Sequence, residues 1–438
     1  MNSKFSFLSL LLLVLVSVQI TRANEPAEAL ARKAVSENTA ESSQAIEDLR
    51  ALGPAGLQVL MAQYANKITK QINSHGASPA TAESDHEWAR ITTALDAVAQ
   101  QKNSYLAGLY WHTDLNSAKK ASAESGKPIL SLRLLGKLTD EFSCANSRFF
   151  RTVLYPNTEV ANVLRQRFVL HWQSVRPVPT VTIDFGDGRK LERTLTGNSI
   201  HYILDSQARP IDALPGLYGP QAFLRGLAAA ETVFKSLSRK TEQERDPLLR
   251  TYYGNQHRQI TAAWTMDTDK IAGKKLAGLK VVRGPNDGAL TIAPLAATKA
   301  ITETSILRAM TMATETLGKM TDEAAWKKIA QFHASDAILD SNSIALIKRQ
   351  NPTLAEEDLA RLLKNFQELV ALDTVRNEYL MHTELYTWLM RDPVRDDLEK
   401  LNEQVYAKLF LTPRSDPWLG LFSADVYTAL DNGGITKN

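Results

Sequence analysis

One cysteine occurs in the 438 residues, Cys144, within Phe142-Ser143-Cys144-Ala145-Asn146-Ser147-Arg148-Phe149-Phe150. A lone thiol offers one nucleophile and has no partner in its own chain. As a thiolate it can form a mixed disulfide with another molecule or be oxidised to a sulfenic acid. Either product needs an external thiol to resolve it. The opposing reading is an inert, buried sulfur, because free cysteine is among the most buried residue types.

Other groupings with chemical potential are weaker. Glu378 and His382 stand four apart, so on a helix they share a face and could supply two metal ligands. No neighbour completes a site, and a hydrogen-bonded or solvated pair is the favoured reading. His112 and Asp114 flank Thr113 beside Trp111 and read as structural. Phe185-Gly186-Asp187-Gly188 is too short for a phosphate loop and does not lead into a helix. Neither Gly-x-Ser-x-Gly nor His-Glu-x-x-His occurs, which argues against a common hydrolase or zinc protease. Trp418, flanked by prolines, reads as a packing anchor. No metal and no cofactor is implied.

Composition bounds the class. The chain is 44% hydrophobic and 23% charged, an ordinary globular balance for two or three domains. A net charge of +3 with scattered Lys and Arg argues against a nucleic-acid partner. At the N-terminus, Lys4 precedes an apolar run from Phe5 to Ile20, and Ala23 ends the segment. This pattern predicts a secretory signal peptide over 1–23, with an uncleaved anchor as the alternative. Export to a periplasmic or extracellular space follows, with no membrane span after cleavage. An odd cysteine in such a compartment points to a reactive thiol, an intermolecular bond or a buried sulfur.

Helical spacing of Ala45, Ile46, Leu49 and Leu52, then Leu57, Leu60 and Met61, predicts a helix pair broken at Gly53-Pro54. Ser74 to Asp85 reads as a loop, and Trp88, Ile91, Leu95 and Val98 as a further helix. Strands and helices then alternate. Leu115 to Ala123 is a helix stopped by Gly126, and Pro128 to Leu134 a strand. Val160 to Arg167 is a helix and Phe168 to Trp172 a strand. Thr180 to Leu195 is a hairpin turning at Asp187-Gly188. Tyr202 to Asp205 is a strand and Gln221 to Ala230 a helix. Beyond residue 240 the pattern is helical, with an irregular excursion at Gly273–Gly288. A capping box at Thr353–Glu356 is predicted to open one helix. Leu398, Leu401, Val405, Leu409 and Phe410 mark another, ended by Pro413.

Trp111 to about Leu227 resembles an exported thioredoxin-like domain. The likeness rests on Trp111-His112, the short helix, Gly126-Lys127-Pro128, Cys144, Glu159-Val160, Phe168-Val169 and the later strand with Asp205 and Pro210. The resemblance implies that Cys144 opens a core helix, where unpaired N–H groups and the helix dipole would favour the thiolate. Ser147 replaces the second redox cysteine; it could donate to the sulfur, and Arg148 could add positive charge. Ser199, within Gly197-Asn198-Ser199, falls where the family carries a cis-proline, which puts the substrate-backbone clamp in doubt. The Lys127–Cys144 interval is long, and the hairpin looks like an insertion.

The expected architecture is α+β: a central thioredoxin-like domain (109–232) between a helical N-terminal segment (24–108) and a mostly helical C-terminal region (233–438). Two functions stand against each other. One is an interaction protein with a degenerate redox site, holding an extracytoplasmic protein or thiol partner. The other is a monothiol Cys-x-x-Ser oxidoreductase or redox sensor. In both, Cys144 and Ser147 are the candidate reactive pair, and Arg148, Asn198 and Ser199 the candidate partner contacts.

Overall fold

The computed structural model describes residues 25–73, 82–195, 197–272, 321–391, 396–419 and 435. The predicted signal peptide and the Gly273–Gly288 excursion lie outside these residues. The chain is an α+β protein with a mixed sheet at its centre and helices at both ends.

Helices α1 (Ala27–Lys33), α2 (Thr39–Ala51), α3 (Pro54–Gln63), α4 (Ala65–Asn73) and α5 (Ala82–Ala99) form the N-terminal layer. The break between α2 and α3 sits at Gly53, whose φ of 67° suits glycine, with Pro54 opening α3. Gly56 lets the two helices touch: a Cβ there would lie 2.0 Å from the Leu49 carbonyl oxygen. Helix α5 begins at Ala82, inside the stretch read as a loop. Ile91, Leu95 and Val98 on α5 are buried with Leu49, Leu57 and Leu60 in a core of their own. Arg50 joins this layer to the sheet. It donates to the carbonyls of Val98 (2.7 Å) and Trp111 (3.1 Å) and lies over the Tyr110 ring.

The sheet strands are β1 (Trp111–His112), β2 (Ile129–Leu135), β3 (Val169–Arg176), β6 (Ser199–Leu204) and β7 (Pro210–Pro215). The hairpin strands β4 (Thr180–Asp184) and β5 (Lys190–Thr194) pair separately, and Gly186 and Gly188 take positive φ at the turn as expected. The order across the sheet is β1-β3-β2-β6-β7. Strands β1, β3 and β2 are parallel; β6 runs antiparallel to β2, and β7 antiparallel to β6, so β7 shares the direction of the first three. Central β2 is buried along its whole length, which explains its nearly continuous apolar run. Its two polar residues, Ser131 and Arg133, fall two apart and so share one face. Ser131 sits opposite His171 in register and hydrogen-bonds its Nδ1 at 2.8 Å.

Helices α6 (Leu115–Ser125), α7 (Ala145–Phe149), α8 (Thr158–Arg167) and α9 (Pro220–Leu237) connect and flank the strands. Asp114 caps α6 by accepting from the Ser117 N–H at 2.7 Å, and Gly126 ends it at φ 68°. A π-helical stretch, Phe150–Leu154, extends α7. Helices α10 (Glu242–Ala272), α11 (Glu323–Phe332), α12 (Ser341–Gln350), α13 (Glu356–Arg376), α14 (Thr383–Arg391) and α15 (Leu398–Gln404) follow. One apolar core runs from Ala107 through the sheet to Phe410.

The predicted capping box is not formed. Residue Ala355 occupies the cap position and Thr353 lies in the preceding turn, so its hydroxyl makes no cap hydrogen bond. The Glu356 carboxylate instead pairs with Lys348. Among the described residues no helix is long and apolar enough to cross a membrane.

Candidate functional site

Cys144 is the residue that caps α7, with extended ψ (159°) before the helical turns begin. It follows the loop from Gly136 that leaves the end of β2, so the strand and the apolar anchors Phe149, Phe150 and Val153 fix its position. The structure brings three of the other candidates to it directly. The Ser147 hydroxyl donates to the Cys144 carbonyl oxygen at 2.9 Å and also lies close enough to the sulfur to favour its thiolate. Asn146, two residues after Cys144, donates from Nδ2 to the Ser199 hydroxyl at 2.8 Å. Arg148 is half-buried, and its charge reaches Cys144, Glu141 and Arg193.

The sulfur itself has no solvent exposure. Burial pushes the Cys144 thiol above its ordinary range; the Ser147 N–H and hydroxyl, the Leu135 N–H and the Arg148 charge oppose this without overcoming it. The expected lowering by a helix terminus is therefore not what dominates. The helix holds only five residues, and desolvation is the larger effect.

The segment from Leu398 to Asp416, called here the arm, packs against the sheet and holds Asn198. Its helix α15 runs on into a π-helical stretch, Val405–Leu409, whose Tyr406 lies in electrostatic reach of Cys144. Leu398, Leu401, Val405, Leu409 and Phe410 are all buried, as their spacing predicted. The polar seams are as extensive. Arg133 of β2 donates to Glu399 at 2.7 Å. Tyr202 of β6 donates to Asn402 at 3.3 Å. Tyr406 donates to the Asn198 carbonyl at 3.2 Å, and the Asn198 side chain donates to the Thr412 hydroxyl at 3.1 Å. Arg176, at the end of β3, donates to the carbonyls of Thr412 (3.1 Å) and Asp416 (2.9 Å). Asn198 and Ser199 thus sit beside Cys144, and the chain's own arm holds them.

Behind Cys144 lies a buried aromatic wall. Tyr155, in electrostatic reach of the sulfur, hydrogen-bonds His201 Nε2 at 2.8 Å. Burial holds His201 down at about 3, so it is neutral across the physiological range. His201 packs edge-on to Phe150 and Phe223.

Sequence reasoning did not single out Arg133, Tyr406, Thr412 or Glu399. One signal was available for Arg133: a charged residue in an otherwise apolar central strand must find a partner.

The other groupings resolve structurally. Glu378 and His382 lie in a π-helical stretch, Asn377–His382, and stay within electrostatic reach of each other. His382 is buried, stacked on Tyr386 and 3.6 Å from Asp212. Burial raises Glu378 above the ordinary carboxylate range. Among the described residues no group of three or more His, Cys, Asp and Glu side chains is placed to hold a metal ion. Trp418 is 44% exposed, too open for the packing anchor expected of it.

Comparison of the chain with family models, with curated proteins and with solved structures gives no match.

Proposed function

We propose that this chain is an exported thioredoxin-like interaction protein whose redox position is degenerate and whose Cys144 takes no part in turnover. A βαβ-type core between β2 and β3, with Cys144 at the first turn after β2, supports the thioredoxin-like reading. The observation that carries the functional reading is the zero exposure of Cys144. A thiol that is sealed and held above its ordinary range has little thiolate and no access to a partner disulfide.

The monothiol alternative has one observation in its favour. Ser147, Leu135 and Arg148 all present thiolate-stabilising groups to the sulfur. In that reading the Cys144 thiolate attacks a partner disulfide. The S–S bond breaks, a Cys144–partner disulfide forms, and the second partner sulfur leaves as thiolate. An external thiol then releases Cys144.

Thiol labelling of the native full chain across pH separates the two. The interaction reading expects negligible labelling before denaturation, with any midpoint above the value of about 8.5 for a free cysteine. Complete labelling within seconds, with a midpoint below that value, would overturn it in favour of the monothiol.

A further inference from the structure

The β4–β5 hairpin stands apart from the central sheet: among the described residues its two strands pair only with each other. A two-stranded ribbon alone in water is marginally stable and gains most from a further strand. The hairpin's own ladder fixes which backbone groups stay free. The Phe185 N–H donates to the Arg189 carbonyl, and the Leu195 N–H to the Pro179 carbonyl. With the regular register Val181↔Arg193 and Ile183↔Leu191 between them, the odd-numbered residues of β4 carry the internal hydrogen bonds. The N–H and C=O groups of Thr180, Thr182 and Asp184 therefore point away from β5, and all three residues are exposed.

Solvent-facing strand edges are ordinarily guarded by charge, proline or a bulge. The β5 edge is guarded in this way, with Arg189, Lys190, Glu192 and Arg193 exposed along it. The β4 edge is not. Thr180-Val181-Thr182-Ile183 is uncharged and wholly β-branched, a composition that suits strands. Pro179 does not protect it, because the N–H that proline lacks would face β5. The strand also matches itself. Laid antiparallel on a second copy, about a two-fold axis at Thr182, it sets Thr182 opposite Thr182 and Thr180 opposite Asp184, with their free N–H and C=O groups in bonding positions. Val181 then faces Ile183, and Phe185, 55% exposed, faces Pro179. These apolar pairs fall on the face that carries half-buried Val181, Ile183 and Leu191, and no like charges meet along β4.

We propose that the β4 edge is a self-association site, at which a second copy of this chain joins its own β4 to make one antiparallel sheet from the two hairpins. Each opposed pair of outward-facing residues exchanges both backbone hydrogen bonds. The contact is isologous, so it closes as a dimer, and the charged β5 edges stay on the outside and oppose further growth. It lies outside the Cys144 site and holds whichever state the sulfur takes.

Sedimentation of the full chain over roughly 1–200 μM reads the association, since so small a contact belongs to the weak end of specific interfaces. A concentration-dependent equilibrium between monomer and dimer is expected. Thr182→Pro removes an N–H that only the second copy would use. It should weaken dimerisation at least about tenfold and leave the circular dichroism of the monomer unchanged. Glu192→Pro makes the same change at the outward side of β5 and should dimerise as the wild type does. Thr182→Cys should form a disulfide-linked dimer on mild oxidation, because opposed Cα atoms of a bonded pair lie about 5.5 Å apart. Thr180→Cys should not, because its mate in the second copy lies roughly 14 Å away along the strand. Buried Cys144 does not compete in either variant. A wild-type chain that stays monomeric over the whole range overturns the proposal. So does a dimer indifferent to Thr182→Pro, an equal loss in both proline variants, or linkage at 180 as ready as at 182.

Discussion

The Cys144 site and the cluster formed by Asp267, His333 and Asp336 are both removed from water, and they handle charge in opposite ways. Cys144 is fully buried, as nearly are Asp267 and Asp336, at 3% and 4% exposure. Burial alone pushes each acid towards its neutral form. At Asp336 burial is outweighed by the Arg225 guanidinium, which donates to both carboxylate oxygens (2.6 and 2.7 Å), and by His333; the carboxyl is held at about 2. Asp267 accepts from Tyr379 at 2.7 Å and Lys270 at 2.8 Å and contacts His333 Nε2 at 2.6 Å, which keeps it below the ordinary carboxylate range against its own burial. At Cys144, among the described residues, the opposing charge comes from the half-buried Arg148, and burial wins. The helical layer is built to hold charge; the cysteine pocket is built to hold a neutral group. A sulfur at the start of a helix is thus not favoured as a thiolate by that placement alone. The missing ingredient is a desolvated cation aimed at it.

The largest effect follows from forcing a charge into the neutral pocket. Cys144→Asp should destabilise the protein by about 3–5 kcal/mol at neutral pH, because a buried carboxylate there lacks an adequate counter-charge. The buried carboxyl would have a raised pKa, so the loss should shrink as pH falls and the group is neutralised. Denaturant titration at pH 7.5 and pH 5 measures both. A loss below about 1 kcal/mol at neutral pH would mean that Ser147, Leu135 and Arg148 can sustain an anion, and would revive the monothiol.

The reverse perturbation removes a charge from the charged cluster. Asp267→Ala leaves the Tyr379 hydroxyl and the His333 ring without their acceptor beside the stacked Trp264–Tyr379 pair. A loss of about 2–3 kcal/mol is expected, the usual cost of leaving buried polar partners unpaired. By contrast Cys144→Ser should cost under about 1 kcal/mol, because a hydroxyl is neutral and can accept from the surrounding N–H groups. Equal losses for the two variants in the same titration would erase the distinction drawn between the sites.

Local signals in the sequence carried the elements, and non-local contacts decided the site. Gly126 and Gly53-Pro54 mark chain breaks by their own backbone preferences, so helix ends there were readable. The Asp187-Gly188 turn and the apolar run of β2 were readable for the same reason. Thr353–Glu356 failed as a capping box although its residue types fit. The helix starts at Glu356 itself, so the cap position falls on Ala355, and the Glu356 carboxylate pairs with Lys348. The surroundings of the site were not readable at all. Tyr406 and Thr412, more than 200 positions beyond Asn198 in the chain, bond to it. No local pattern around a cysteine encodes such contacts.

The smallest effect probes how firmly the helical layer keeps its charge. His333 lies between two carboxylates, 2.6 Å from Asp267 and 3.7 Å from Asp336. Asp336 first, and then Asp267, raise its pKa above the ordinary 6.5, against the opposing effect of burial. The folded protein therefore binds this proton more tightly than the unfolded chain does. The stabilisation is fully present below about pH 6.5 and is lost as pH rises through the folded value. Asp336 adds no slope in that range, because its own contribution fails only as pH falls below the ordinary 3.8 towards about 2. Relative to His333→Gln, the wild type should be more stable by about 1 kcal/mol at pH 6, with the difference shrinking steadily towards pH 9. Thermal midpoints of both proteins over that range read this directly. A difference that does not change with pH would mean that the carboxylates act on His333 only as hydrogen-bond acceptors. The contrast with the cysteine pocket would then rest on Arg225 alone.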